Sequence, residues 1–341
     1  MKETQSYPKA ILGIDVSKKK LDLCLIPDES IVSHKHGQRS MSQPKSYRRT
    51  VANTIKGVTT IAKWLASKGV VAAHITIEPT SVYHELAVET LLSCGHWVSV
   101  VNAGQVRQYA AAMGIDTKTD SIDALVLAEF CRARRPAGSK PLSEAERQLR
   151  DLTRRRTVLV REEQKELLRL QTTKSKSCIA SIKRIVKAIA QERGKIEAEI
   201  EQIIEEHEEL RTVGKNYRSI KGVGAVTSAT VMAELPDLAT FASVQQAVAF
   251  VGLAPRRKQS GSSINRYGGI TKRGNSRVRE ALFMSAIVGM KYDPVLHAFA
   301  QRLRLANKKK KVVIVAVMRK IMHLLYGIAK SGQPRRLPSS I

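Results

Sequence analysis

Aromatic residues are scarce in this 341-residue chain, with 8 Tyr, 5 Phe and 2 Trp. So few rings cannot furnish a broad platform for stacked bases. A nucleic-acid partner would be held through its phosphates, by contacts that weaken steeply as salt rises. Cysteine is also sparse, and Cys24, Cys94, Cys131 and Cys178 lack CxxC or Cys/His ligand spacing. This excludes a zinc site and a disulfide framework, leaving an expectation of four reduced, mostly buried thiols. Long apolar runs are missing too: the longest strongly apolar one, Val312 to Met318, is far too short to span a bilayer, and MKETQSYPKAILGID holds no apolar signal segment. The expectation is a soluble, cytoplasmic, nucleoid-associated protein with no membrane partner. Acidic residues are in short supply, 30 against 58 Lys and Arg, for a net charge of +28. Such a chain is drawn to dense negative charge, and nucleic acid is the obvious candidate. Its length favours more than one domain.

What is present begins with AILGIDVS (10 to 17), an apolar β-branched run, then a short basic turn at Lys18 to Lys20 and the alternating LDLCLI. This predicts a hairpin opening a sheet. The polar stretch from Pro27 to Lys45 has no clear periodicity. A third strand is expected over Tyr47 to Ala52, then a helix through Ile61, Trp64 and Leu65. HITIE (74 to 78), a helix from about Ser81 to Ser93 and HWVSVV (96 to 101) read as strand, helix, strand, and so as an α/β layer with parallel pairing. A helix over Ser121 to Arg134 is ended by Arg135-Pro136-Ala137-Gly138.

From about Ser143 to Leu210 there is one Gly and no Pro, while Ile182, Ile185, Ile189, Ile196, Ile200 and Ile203 fall near heptad spacing. Two long helices forming a coiled coil or helical hairpin follow, broken around Thr172 to Ser177. Residues 147 to 187 carry 13 basic and 4 acidic residues, and 191 to 210 carry 2 basic and 8 acidic ones. That split suits one helix facing nucleic acid and the other facing solvent or a partner subunit. Residues 251 to 341 hold 20 Lys and Arg against Glu280 and Asp293.

Four carboxylates stand at telling places: Asp15 inside the first strand, Glu78 at the end of another, and Asp120 and Asp123 three apart on a helix. Taken singly, each is as readily a cap or surface charge, and Asp116 and Glu129 lie close enough to confuse the choice. Asp15, flanked by apolar strand residues, is costly to bury without partners or metal. Hard divalent cations such as Mg²⁺ take carboxylate oxygens and serve phosphodiester chemistry. An acidic first hairpin, a strand-borne Glu and helical Asp residues are the layout of ribonuclease-H-like nucleases.

Two further motifs are basic. In SIKGVGAVTSATVMAEL (219 to 235), Gly222 and Gly224 form a turn leading into a helix, the form of a helix-hairpin-helix element whose amides meet a DNA phosphate, with Lys221 beside them. An ordinary glycine turn between helices reads the same way. The segment 254 to 282 sets Ser260, Ser262 and Ser263 among Arg256, Arg257, Lys258, Arg266, Lys272 and Arg273. It reads as a flexible phosphate-contacting loop or as the carrier of a serine nucleophile, and spacing does not choose among the three serines.

GIDVSKKKLDL, IEPTSVY, KTDSIDALVLAEFCR, IKGVGAVTSATVMAEL, FVGLAPRRKQSGSS and TKRGNSRVREAL, in this order, resemble the transposases of the insertion-sequence-110 family across nearly the whole chain. The resemblance implies an α/β plus α architecture. Residues 1–140 would be a RuvC-like domain with a DEDD set, 141–210 a coiled coil, and 211–341 a helical transposase domain with the helix-hairpin-helix element and a serine loop. It implies Asp15, Glu78, Asp120 and Asp123 as metal ligands for Mg²⁺, and Ser260 as the nucleophile that links covalently to DNA. The implied partners are donor and target double-stranded DNA, a structured bridge RNA, and further copies of the chain in a dimer or tetramer. The region from Pro27 to Lys45 looks like an extension of the first domain. The rivals are a metal-dependent junction nuclease using water and a non-catalytic nucleic-acid-binding protein.

Overall fold

The computed structural model describes residues 8–28, 46–79, 83–115, 119–235, 237–260, 264–272 and 274–336; of 257–260 and 264–267 it describes only the backbone. The chain divides into two compact units, Met1–Pro141 and Leu142–Ile341.

The first unit is a five-stranded sheet of order β3-β2-β1-β4-β5. Strand β1 (Ala10–Val16) pairs antiparallel with β2 (Lys20–Ile26), and β2 with β3 (Tyr47–Ala52). On the other side β1 pairs parallel with β4 (Ala73–Ile77), and β4 with β5 (Trp97–Val100). The β1–β2 turn is tight, with Ser17 N donating to Lys20 O at 3.0 Å. Both faces of the central strands are buried, because the alternation feeds two layers. Leu12, Ile14, Leu23, Ile75 and Ile77 pack toward α1 (Ile55–Ser67) and α2 (Glu85–Ser93). Ile11 and Cys24 pack with Ala124, Ala128 and Cys131 of α4 (Asp120–Arg134). Helix α3 (Ala103–Ala112) flanks α4 and lies where no helix was expected. Its sequence is weakly amphipathic, and only Val106 is fully buried. Two thiols are buried, Cys24 and Cys131, but Cys94 and Cys178 are exposed, which corrects the expectation of mostly buried ones. Nearly all of the Pro27 to Lys45 stretch, from 29 onward, and Asp116 lie outside the described residues.

The second unit opens with α5 (Glu144–Thr172) and α6 (Lys176–Glu206), which pack together as a hairpin across a three-residue turn. A capping box of Ser143 and Glu146 starts α5. Arg156 pairs with Glu197 at 2.8 Å and Arg193 with Glu163 at 3.1 Å. Of the heptad isoleucines, Ile200 and Ile203 are buried with Ile204, where α8 (Ala225–Glu234) covers them, whereas Ile185 is exposed. The seam is thus a true core only at the end that a third helix covers.

Helices α7 (Glu208–Arg218), α8, α9 (Val244–Val251), α10 (Ser276–Tyr292), α11 (Pro294–Leu305) and α12 (Lys310–Ser331) enclose the largest core of the unit. Helix α12 is long and apolar enough, by length and composition, to cross a membrane. The sequence reading missed this because it counted only uninterrupted apolar runs. Val313, Val317, Ile321 and Leu325 form its stripe in the core. The segment read as a flexible loop is a second sheet: β6 (Pro255–Ser260) pairs antiparallel with β7 (Ile264–Ile270). Its glycines and serines suggested a loop, yet Pro255–Ser260 and Ile264–Ile270 pair as strands.

Candidate active site

The carboxylates are positioned by main-chain contacts. Asp15 lies opposite Asp22 in the β1–β2 register, so the two side chains leave the same face of the sheet. Glu78 follows β4 directly, one step past the Ile14–Ile77 pair of parallel neighbours, which brings it level with Asp15. Helix α4 lies on the same face as Asp15. It approaches β1 so closely at Gly13 that a Cβ there would stand 2.1 Å from Ala124 O and 2.4 Å from Ala128 N. One turn back from Ala124, the first turn of α4 presents Asp120 and Asp123. Thr119 caps that helix, its side chain accepting from Ile122 N at 3.4 Å, and acids suit the positive end of the helix dipole.

The electrostatics show that these groups sense one another. Asp15 is half-buried, and its pKa is pushed up to about 6, first by burial and then by Asp123, Asp120, Glu78 and Asp22. Lys20 answers part of this charge: its Nζ stands 2.7 Å from Asp120 Oδ2 and 3.0 Å from Asp22 Oδ2. Hydrogen bonds to Asp120 and then Asp22 hold its ammonium in the charged form. Thr50 Oγ1 donates to the other Asp22 oxygen at 2.6 Å.

All four expected carboxylates therefore meet at one end of the sheet, and Asp22 and Lys20, which sequence reasoning passed over, meet them there. The signal for Asp22 was available: a two-residue turn after Ser17 fixes the pairing that sets it against Asp15. The side chains do not form a closed cage. Among the described residues no three His, Cys, Asp or Glu side chains are disposed to hold a metal ion. The donor chemistry nevertheless fits a hard divalent cation, since oxygen donors converge on a half-buried acid short of positive charge. Glu129 is occupied elsewhere, pairing with Arg132 at 2.7 Å.

In the second unit, Ser260 is the last residue of β6, paired in register with Ile264. Lys258 is in register with Arg266, and Arg257 with Tyr267. The side chains of Ser260, Arg257, Lys258 and Arg266, and all of Ser262, Ser263 and Arg273, lie outside what is described. Arg256 is exposed and donates to Gly268 O at 3.2 Å. The base of the hairpin is firmly held. Thr271 N donates to Ala254 O at 2.8 Å, Lys272 N to Gly252 O at 3.0 Å, and Arg279 to Val251 O at 2.8 Å.

Between α7 and α8, the φ of +105° at Gly222 requires glycine, and a Cβ there would stand 2.6 Å from Ser285 O on α10. Gly222 therefore packs against the fold. Gly224, which starts α8 without a side-chain cap, faces open space, and Lys221 is exposed.

Comparison with known proteins points to one family. Residues 12–174 match a family model for a transposase, the DEDD type of IS110. Residues 214–301 match the model of the transposase IS116/IS110/IS902 family. A pilin gene-inverting protein of Moraxella bovis is 28% identical over 333 residues, covering 96% of this chain and 97% of its own length. An uncharacterized 43.6 kDa protein of insertion element IS110 from Streptomyces coelicolor is 26% identical over 166 residues, 48% of this chain and 40% of its own. The transposase for insertion sequence element IS1111A of Coxiella burnetii is 38% identical over 92 residues, 25% of each chain. Two family models matched in succession, one across the carboxylate cluster and one across the segment that includes Ser260, place this chain in the IS110 family of transposases.

Proposed function

We propose that this protein is a DNA recombinase of an insertion sequence that cuts and rejoins strands with a DEDD cation site and a serine nucleophile. The observation that carries the reading is the gathering of Asp123, Asp120, Glu78 and Asp22 about Asp15, whose pKa is pushed up to about 6 by burial first and then by these carboxylates. A fold that gathers acids around a half-buried one without giving it a partner arginine leaves room for a cation. The strand order, with an acidic antiparallel hairpin at its centre, supports a ribonuclease-H-like, RuvC-like domain over 1–140. The packed α5–α6 pair supports a coiled coil over 141–210, and the helices and hairpin beyond it a transposase domain over 211–341.

Asp15, Glu78, Asp120 and Asp123 would hold Mg²⁺, which supplies Lewis-acid stabilisation of charge on a scissile phosphate. The Ser260 hydroxyl loses its proton as its oxygen bonds to phosphorus. The phosphorus–oxygen bond to the leaving strand breaks, and that oxygen takes up a proton as a free hydroxyl. Attack by the hydroxyl of another strand end reverses the step, so the number of ester bonds is conserved and no ATP is needed. Lys221, Gly224, Arg256, Arg257, Lys258, Arg266, Lys272 and Arg273 grip phosphates, with Gly222 shaping their turn. The partners are donor and target DNA, a structured bridge RNA and further copies of the chain, in the cytoplasm at the nucleoid. The pilin gene-inverting relatives, whose name describes inversion of a gene, fit such strand exchange.

The test is Ser260→Ala with element-end DNA and the encoded RNA, resolved on denaturing gels. The wild type should give a protein-linked DNA strand and the variant neither adduct nor cleavage. Continued cleavage by the variant would instead identify a nuclease that uses water.

A further inference from the structure

The Lys20 ammonium lies against Asp120, one of the four carboxylates that would hold a divalent cation, and against Asp22 beside them, and this follows from the hairpin itself. Lys20 closes the two-residue turn and opens β2, two residues before Asp22. Two residues apart on one strand, their side chains share a face, and α4 sets Asp120 above both. Nζ is thereby held between Asp22 Oδ2 at 3.0 Å and Asp120 Oδ2 at 2.7 Å.

We propose that Lys20 is a tethered counter-cation that occupies the carboxylate cluster when it is empty and must be displaced when a divalent cation enters, so that it sets the loading threshold of the site. The inference rests on the cation-site reading above. Two positive ions compete for these carboxylates, because each weakens the other's attraction by its own repulsion. The exit is open: the Lys20 side chain is 46% exposed, and its four-carbon stem can swing the ammonium into water. The hairpin does not depend on it, since Ser17 N bonds to the main-chain carbonyl of Lys20 and Leu21 onward supply the core.

The experiment titrates the full-length protein, without nucleic acid, with Mn²⁺, following free Mn²⁺ by electron paramagnetic resonance. Lys20→Met should bind Mn²⁺ about three- to tenfold more tightly than wild type, since the ion pairs of Lys20 with Asp120 and Asp22 no longer compete. Lys20→Arg, which keeps the charge, should stay near the wild-type affinity. Equal or weaker binding by Lys20→Met would overturn the proposal. If that variant fails to fold, the wild type decides: peptide-level mass spectrometry should show faster acylation of Lys20 once Mn²⁺ is bound. An unchanged or slower rate would overturn the proposal. Binding by wild type that is lost in Asp15→Asn, with no gain in Lys20→Met, would remove Lys20 alone. No binding by wild type or by Lys20→Met would remove the cation site and this inference together.

Discussion

Two buried or half-buried acids, one in each unit, are treated in opposite ways. Glu234 at the end of α8 is 4% exposed, and Arg154 Nε donates to it at 2.6 Å and Asn275 Nδ2 at 2.9 Å. Burial would push its pKa up, but the Arg154 and Asn275 contacts with Arg277 nearby hold it below the usual range. Asp15 has the reverse surroundings. Burial raises its pKa to about 6 together with its neighbours Asp123, Asp120, Glu78 and Asp22. An acid that the fold supplies with its own arginine ties α8 to α5 and to the start of α10. An acid surrounded by acids does nothing for the fold, and that cost makes sense where something else supplies the positive charge.

The comparison breaks if removing either acid has the same effect. Glu234→Ala removes the buried carboxylate that Arg154 and Asn275 meet, and should cost about 3 to 5 kcal/mol of unfolding free energy in urea titrations. A loss under about 1 kcal/mol would mean that Glu234 is no more a structural anchor than an exposed pair. Next in size is Gly13→Ala, which forces a methyl into Ala124 O and Ala128 N. Overpacking of this kind costs about 1 to 3 kcal/mol. Because α4 must retreat with Asp120 and Asp123, Mn²⁺ affinity should fall as well. Lost stability with unchanged affinity would show that this contact does not space the acids.

The smallest effect is the pH dependence of Asp15→Asn. Between the ordinary aspartate value of 3.8 and about 6, the unfolded chain has released the Asp15 proton and the folded chain retains it. The folded state then binds more protons, so stability falls as pH rises through that window and is level above it. In metal-free buffer the melting temperature of Asp15→Asn should therefore gain on wild type from about pH 4 to pH 6 and then hold a constant lead. A lead that is flat across that range would mean that Asp15 is not crowded.

The sheet was legible because its strands are short alternating runs between obvious turns. The pairing of β1 with β2 even followed from the basic turn at Lys18 to Lys20. The ends of β4 and α4 carry Glu78, Asp120 and Asp123 at places where chain direction already suggests a shared edge. Helix α3 was hidden because one buried residue, Val106, leaves little periodicity to read. The β6–β7 hairpin was hidden by its glycines and serines, which signal loops when strand pairing is unknown. Asp22 and Lys20 were in plain view, but their meaning depends on register and on the height of α4 above the sheet. Pattern alone supplies neither.

Gly13 has a consequence for how the acids tolerate change. Because α4 rests on a bare stretch of β1 main chain, the gap between Asp15 and the α4 pair is gauged by backbone thickness. A single added methyl at residue 13 would act as a shim under the helix, altering the spacing of groups that it never touches.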